Sequence, residues 1–158
     1  MPKVPIDPQV NEFRYLILAI QAEGERRLND ALRERDLDLT ATQSEVLEIL
    51  YEGGAMSQSE LGERLVCTKG NISRLLDRME AKRLIRRSPT PTDRRRTQVT
   101  LTSDGQQCIE EAFEIIRDSL EPIRTLYSNR ELRQLAELLG RITQAFGIDV
   151  EARFRQAG

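Results

Sequence analysis

Two short stretches of this chain gather side chains suited to gripping a polyanion. Thr68, Lys69, Asn71, Ser73, Arg74 and Arg78 crowd hydroxyl, amide and cationic donors together, and Asp93, Arg94, Arg95 and Arg96 set three guanidinium groups beside one carboxylate. An arginine can pair with guanine through two bonds and an asparagine with adenine, so Arg74 and Asn71 are the candidates for base edges, while the remaining donors suit phosphates. Arg78, Lys82 and Arg83, further along, suit phosphates or solvent. Arginines on a thin β-ribbon can enter a narrow minor groove, where negative potential is concentrated, and Asp93 can hold such a tip in shape by pairing with a neighbour. Ser57 and Gln58, at the start of an earlier helix, complete the set of candidate contacts. The plain alternatives are a solvated charged turn for Arg94 to Arg96 and an exposed polar helix face for Asn71 and Arg74; the order of the surrounding elements favours nucleic-acid contact.

Other chemistries lack their residues. The chain has no histidine, which removes Ser-His, Cys-His and histidine-zinc chemistry. Its two cysteines, Cys67 and Cys108, form neither a disulfide framework nor a CxxC metal pair. Cys67 sits next to an expected helix start and near Lys69, a setting that lowers a thiol pKa and opens a redox role, but a small residue buried in a turn is the commoner case. Cys108 is assigned no role. There is no nucleotide loop and no nucleophile-base pair, so neither an enzyme nor a metal site is expected, and no cofactor is indicated.

Charge is distributed in keeping with this. The 158 residues carry a formal charge of −2, yet residues 57 to 102 hold 11 basic and 5 acidic side chains, a local balance of +6, which leaves −8 on the flanks. The length suits one domain with helical extensions. The start MPKVPIDPQV lacks the pattern of a secretory signal, and no apolar run would span a bilayer, so a cytoplasmic location without membrane contact is expected.

The elements that must position these donors can be read from periodicity. Residues 9 to 35 form a long helix with Val10, Phe13, Leu16, Ile17, Ile20, Leu28, Ala31 and Leu32 on its apolar stripe, after an arm marked by Pro2, Pro5 and Pro8. Thr42 with Glu45, Ser57 with Glu60, Ser103 with Gln106 and Ser128 with Glu131 match the spacing of a capping box, in which a hydroxyl and a side chain three residues on satisfy each other's free amides. They place short helices over about 42 to 52 and 58 to 65 and longer ones from 103 to about 127 and from 128 to Gly147. A helix over 68 to 83, capped by Thr68, turns Ile72, Leu75, Leu76 and Met79 inward. Pro122 is expected to kink or interrupt the longer helix. Between them, Leu84 to Arg87 and Thr97 to Thr102 read as two strands of a hairpin, with Val99 and Leu101 facing one way.

Helix, short helix, capped helix and basic hairpin is the order of a winged helix-turn-helix, with Val66-Cys67-Thr68 as the turn that lets one helix brace another across a groove. Residues 93 to 105, DRRRTQVTLTSDG, resemble the wing signature of the MarR family of transcriptional regulators: an Asp-x-Arg tip, a strand ending in Leu-Thr, and a glycine two residues on. TKGNISRLLDRMEAKRLIRR is similar to that family's recognition helix running into its first wing strand, and the likeness extends from about residue 9 to 147. The resemblance implies a mainly α fold with a small β-hairpin wing in one domain. Residues of about 40 to 102 would form the DNA-binding part, and helices over about 9 to 35 and 103 to 147 would interlock two copies into a homodimer. It implies Asp93 and Arg95 as the Asp-x-Arg pair, with Arg95 the minor-groove candidate. It implies a regulator, expected to be a repressor, reading an inverted repeat in double-stranded DNA and relieved by a small molecule or other signal that enters a cavity beside the reading domain. Oxidant sensing through a cysteine of the first helix and zinc sensing through histidines lack their residues here. The alternative is a winged-helix module that binds protein and no DNA through its acidic terminal helices; a +6 balance over helix and hairpin argues against it.

Overall fold

A computed structural model describes residues 6–65, 69–89 and 97–148, with the side chains of 69 and 70 left aside. Six helices and a three-stranded sheet follow in the order α1 (Pro8–Glu34), α2 (Ala41–Gly53), β1 (Met56–Ser57), α3 (Gln58–Arg64), α4 (Lys69–Ala81), β2 (Ile85–Pro89), β3 (Thr97–Leu101), α5 (Ser103–Leu126) and α6 (Asn129–Ala145). The Asp7 carboxylate opens α1 by accepting from the amides of Gln9 and Val10, and Pro8, which has no amide to satisfy, sits at its first position.

Two of the expected capping boxes hold, at Ser57 with Glu60 and Ser128 with Glu131. The other two are corrected. α2 is capped by Thr40, which forms a full box with Gln43, and α5 is capped by Thr102, whose hydroxyl accepts from the Gly105 amide. In both cases a threonine close upstream competes for the same free amides, and spacing alone does not choose between the two hydroxyls. Pro122 lies inside α5 without ending it.

The sheet places β3 between β1 and β2, both antiparallel to it. The hairpin register pairs Ile85 with Leu101, Arg87 with Val99 and Pro89 with Thr97. β1, which the sequence reading left out, adds Met56 opposite Val99 and Ser57 opposite Gln98. Two residues are too few to show alternation, and the second of them, Ser57, is also the cap of α3.

One core unites the middle of the chain. Leu32 from α1, Val46, Leu47 and Leu50 from α2, Leu61 from α3, Ile72, Leu75, Leu76 and Met79 from α4, Ile85 and Val99 from the sheet and Ile109, Ala112 and Ile115 from α5 are all buried together. Gly105 is needed where α5 meets this body, because a Cβ there would run into the backbone carbonyl of Leu84. The glycine of the sequence signature is therefore a packing requirement. The ends of the chain differ: α6 has no buried residue, and Val10, Leu16, Ile20, Leu120, Ile123, Leu126, Leu135, Leu138 and Phe146 are exposed.

Candidate nucleic-acid interface

α4 owes its orientation to its two sides. Ile72, Leu75, Leu76 and Met79 recur at helical spacing and are buried, while Asn71, Arg74 and Arg78 are exposed on another stripe of the same helix. α3 packs against it, and its cap residue Ser57 also lies in the sheet opposite Gln98.

The candidates from sequence fall into four groups. Asn71, Arg74 and Arg78 share the exposed stripe, with Ser73 half-buried beside it; Arg78 Nε donates to the Arg74 carbonyl at 3.3 Å, which lays that side chain back along the helix. Ser57 and Gln58 are half-buried at the start of α3, and the Ser57 hydroxyl is engaged in accepting from the Glu60 amide at 3.3 Å. Lys69 opens α4. Thr68, Cys67, and Asp93, Arg94, Arg95 and Arg96 lie outside the described residues, as does the expected convergence of Arg95 with Asn71 and Arg74.

Of the further cations assigned to phosphates or solvent, the Lys82 side chain is engaged within the fold, while that of Arg83 stays exposed. Lys82 Nζ donates at 2.8 Å to both the carboxylate and the backbone carbonyl of Asp38, which ties the end of α4 to the loop before α2. Arg83 adopts φ 60 just past α4, where its amide donates to the Glu80 carbonyl and the Leu84 amide to that of Met79, a Schellman-type ending.

Sequence reading missed Arg87, which it took as one of four residues in a strand. From β2 its Nη1 reaches Asp77 Oδ1 at 2.6 Å and Glu80 Oε2 at 3.3 Å, its Nη2 donates to the Ser73 carbonyl at 3.2 Å, and its amide donates to Glu80 Oε1 at 2.9 Å. The available signal was a basic residue in a strand next to a helix carrying Asp77 and Glu80 at i and i+3; which of Arg86 and Arg87 turns toward the helix depends on the register.

A second feature is a cavity formed by other elements. It measures about 730 Å³ and is bounded by α1, α2 and α5, with Leu28, Glu48, Leu65 and Ile116 among its lining. Burial pushes the Glu48 carboxyl up, with Glu52 and Glu45 adding like charge. Burial likewise raises the Cys108 thiol, which disfavours the reactive thiolate.

A helix held by a second helix, with a three-stranded sheet at its C-terminal end, is the winged helix-turn-helix arrangement. Comparison with known proteins sharpens the class. The sequence model of the MarR family matches residues 39–97. The multiple antibiotic resistance protein MarR of Salmonella typhimurium is 36% identical over 99 residues, 63% of this chain and 67% of that protein. The transcriptional repressor IacR of Pseudomonas putida is 31% identical over 118 residues, covering 71% and 70%. Among solved structures, a cysteine-to-serine variant of Escherichia coli MarR in complex with operator DNA superposes with a TM-score of 0.76 at 27% identity, over 87% of this chain and 99% of that one. The chain belongs to the MarR family.

Proposed function

We propose that this protein is a DNA-binding transcriptional regulator, acting as a homodimer that represses its target genes until a small molecule or other signal releases it. The observation that carries the reading is the exposed Asn71, Arg74 and Arg78 stripe on a helix whose opposite side is locked into the core. Such a helix can enter a major groove without disturbing its own packing. The operator-bound relative supports the same use of the fold.

Residues 40 to 102 form the reading part in this proposal, with Asn71 and Arg74 at base edges. Lys69, Ser73, Arg78, Thr68, Ser57 and Gln58 hold the backbone, and Arg95, supported by Asp93, Arg94 and Arg96, lies in the minor groove. The exposed apolar residues of α1, α5 and α6 join two copies, because a monomer leaves that surface in water. Two reading helices then face successive major grooves about 34 Å apart, which requires an inverted repeat. The cavity between α1, α2 and α5 is the place for an effector, which releases DNA only by binding better to a geometry in which that spacing is wrong. Among the described residues no helix is long and apolar enough to cross a membrane, and action in the cytoplasm, beside the DNA, is part of the proposal.

The test is to let the purified protein select fragments from its own genome and to sequence them. Enrichment of one inverted repeat supports the reading; fragments without a shared motif contradict it, and the protein-binding alternative then takes its place.

A further inference from the structure

We infer that Arg87 is a positioning residue for DNA recognition: it clamps the reading helix to the wing and so sets the angle between the two elements, without touching DNA itself. This rests on the reading of α4 and the hairpin as the DNA-binding elements.

Three observations converge. Ser73, Asp77 and Glu80 are spaced so as to form one stripe along α4, and that stripe runs between the buried residues and the exposed Asn71, Arg74 and Arg78. One guanidinium from β2 reaches all three positions, at 3.2 Å, 2.6 Å and 3.3 Å, and the Arg87 amide adds a second bond to Glu80. The Arg87 side chain is only 22% exposed, against 58% for Asp77 and 39% for Glu80, so the clamp has a partly desolvated centre and is screened less than a surface pair. The contact also lies where positional error is transmitted: Arg87 pairs with Val99 across the hairpin, and the strand pair leads directly to residues 90 to 96.

The geometry does more than neutralise charge. Asp77 and Glu80 place two carboxylates on a helix proposed to face phosphates, and by charge alone they weaken binding. Among the described residues Arg87 Nε is buried without a partner, a cost carried by a guanidinium whose other two nitrogens are held by the helix. Both features are accounted for when the fixed angle between helix and ribbon is what the interaction supplies. A rigid angle lets base edges and minor groove be engaged together, which matters for the specific complex and little for sliding contact with arbitrary DNA.

The distinguishing experiment measures affinity for the selected operator and for a scrambled duplex, over a range of salt, with full-length wild type, Arg87→Met, Arg87→Lys and the double variant Asp77→Asn with Glu80→Gln. Circular dichroism and the size of the particle report on folding. Arg87→Met is expected to lose about tenfold in operator affinity, with scrambled-duplex affinity falling by a clearly smaller factor and the salt slope unaltered, and Arg87→Lys to recover part of the loss. The double variant gives the sharper result: removing two negative charges should tighten binding to scrambled DNA while lowering the ratio of specific to non-specific affinity. If it tightens both equally, Asp77 and Glu80 act by charge alone and the clamp is refuted. A loss in Arg87→Met that is equal on both duplexes, with the salt slope reduced by about one, makes Arg87 a direct phosphate contact and also refutes it. Should Arg87→Met fail to fold, the double variant decides. Wild type that selects no motif contradicts the DNA-binding reading itself, a different outcome from any of these.

Discussion

Glu48 shows how a single side chain can be at odds with its surroundings. Its carboxyl is pushed up by burial first and by Glu52 and Glu45 next. A folded-state pKa above the unfolded one means that the unfolded chain releases its proton first as pH rises, so the fold loses stability across the interval from the ordinary glutamate value to the raised one. Glu48→Gln should therefore raise the melting temperature at pH 7, and the gain should vanish below pH ~4, where both states of the wild type are protonated. Differential scanning fluorimetry at the two pH values checks this; a gain of equal size at both would show that the carboxylate charge is not its source. Because Glu48 lines the cavity, such a cost is also one that an occupant could relieve.

At the scale of elements, the endings of the helices show where residue type and backbone disagree. α1 and α4 both close with a residue at positive φ that is not glycine, Asp36 at 55 and Arg83 at 60, whereas α6 closes on Gly147 at 69. The left-handed conformation costs a residue with a Cβ about 1 kcal/mol or more, and Arg83 makes no ion pair among the described residues that would offset it. Arg83→Gly should stabilise the protein by up to about 1 kcal/mol after the added freedom of the unfolded chain is allowed for. Thermal or urea unfolding reads this directly, and a destabilised variant would mean that the Arg83 side chain supports the fold.

How far these elements were legible in the sequence follows from the range of the forces that build them. The 3.6-residue stripes of α1, α4 and α5, the Ser57 and Ser128 caps and the alternation around Val99 are local, and each could be read from neighbouring residues. Thr40 and Thr102 displaced the expected caps because two nearby hydroxyls satisfy the same spacing rule. β1 exists only because β3 lies beside it, and Arg87 acquires its role only when the register turns it toward Asp77, Glu80 and Ser73. Lys82 likewise looked like a free cation until the chain brought Asp38 to it. In the candidate site, the exposed Asn71, Arg74 and Arg78 stripe was legible from periodicity, while the interaction holding that helix to its sheet was not.

For the whole molecule, the contrast is between a densely packed middle and apolar ends. Leu135, Leu138, Ile123 and Leu126 lie exposed on α5 and α6, although burying a leucine is worth about 1.5–3 kcal/mol. The dimer proposed here covers them, and light scattering should give twice the 18.1 kDa of one chain. Leu138→Glu should shift the protein toward monomer while leaving the α2 to β3 core folded, and should weaken operator binding with it. A dimer undisturbed by that charge would place the interface elsewhere.

DNA recognition by the outward stripe of α4 is the claim on which the rest depends. Its most direct test is an anisotropy titration of the genome-selected duplex with wild type and with Arg74→Ala across a range of salt. Wild-type affinity should fall steeply with salt, and Arg74→Ala should cost about 1–3 kcal/mol at fixed salt if it reads a base. Affinity that is indifferent to salt and equal in the two proteins would contradict the account.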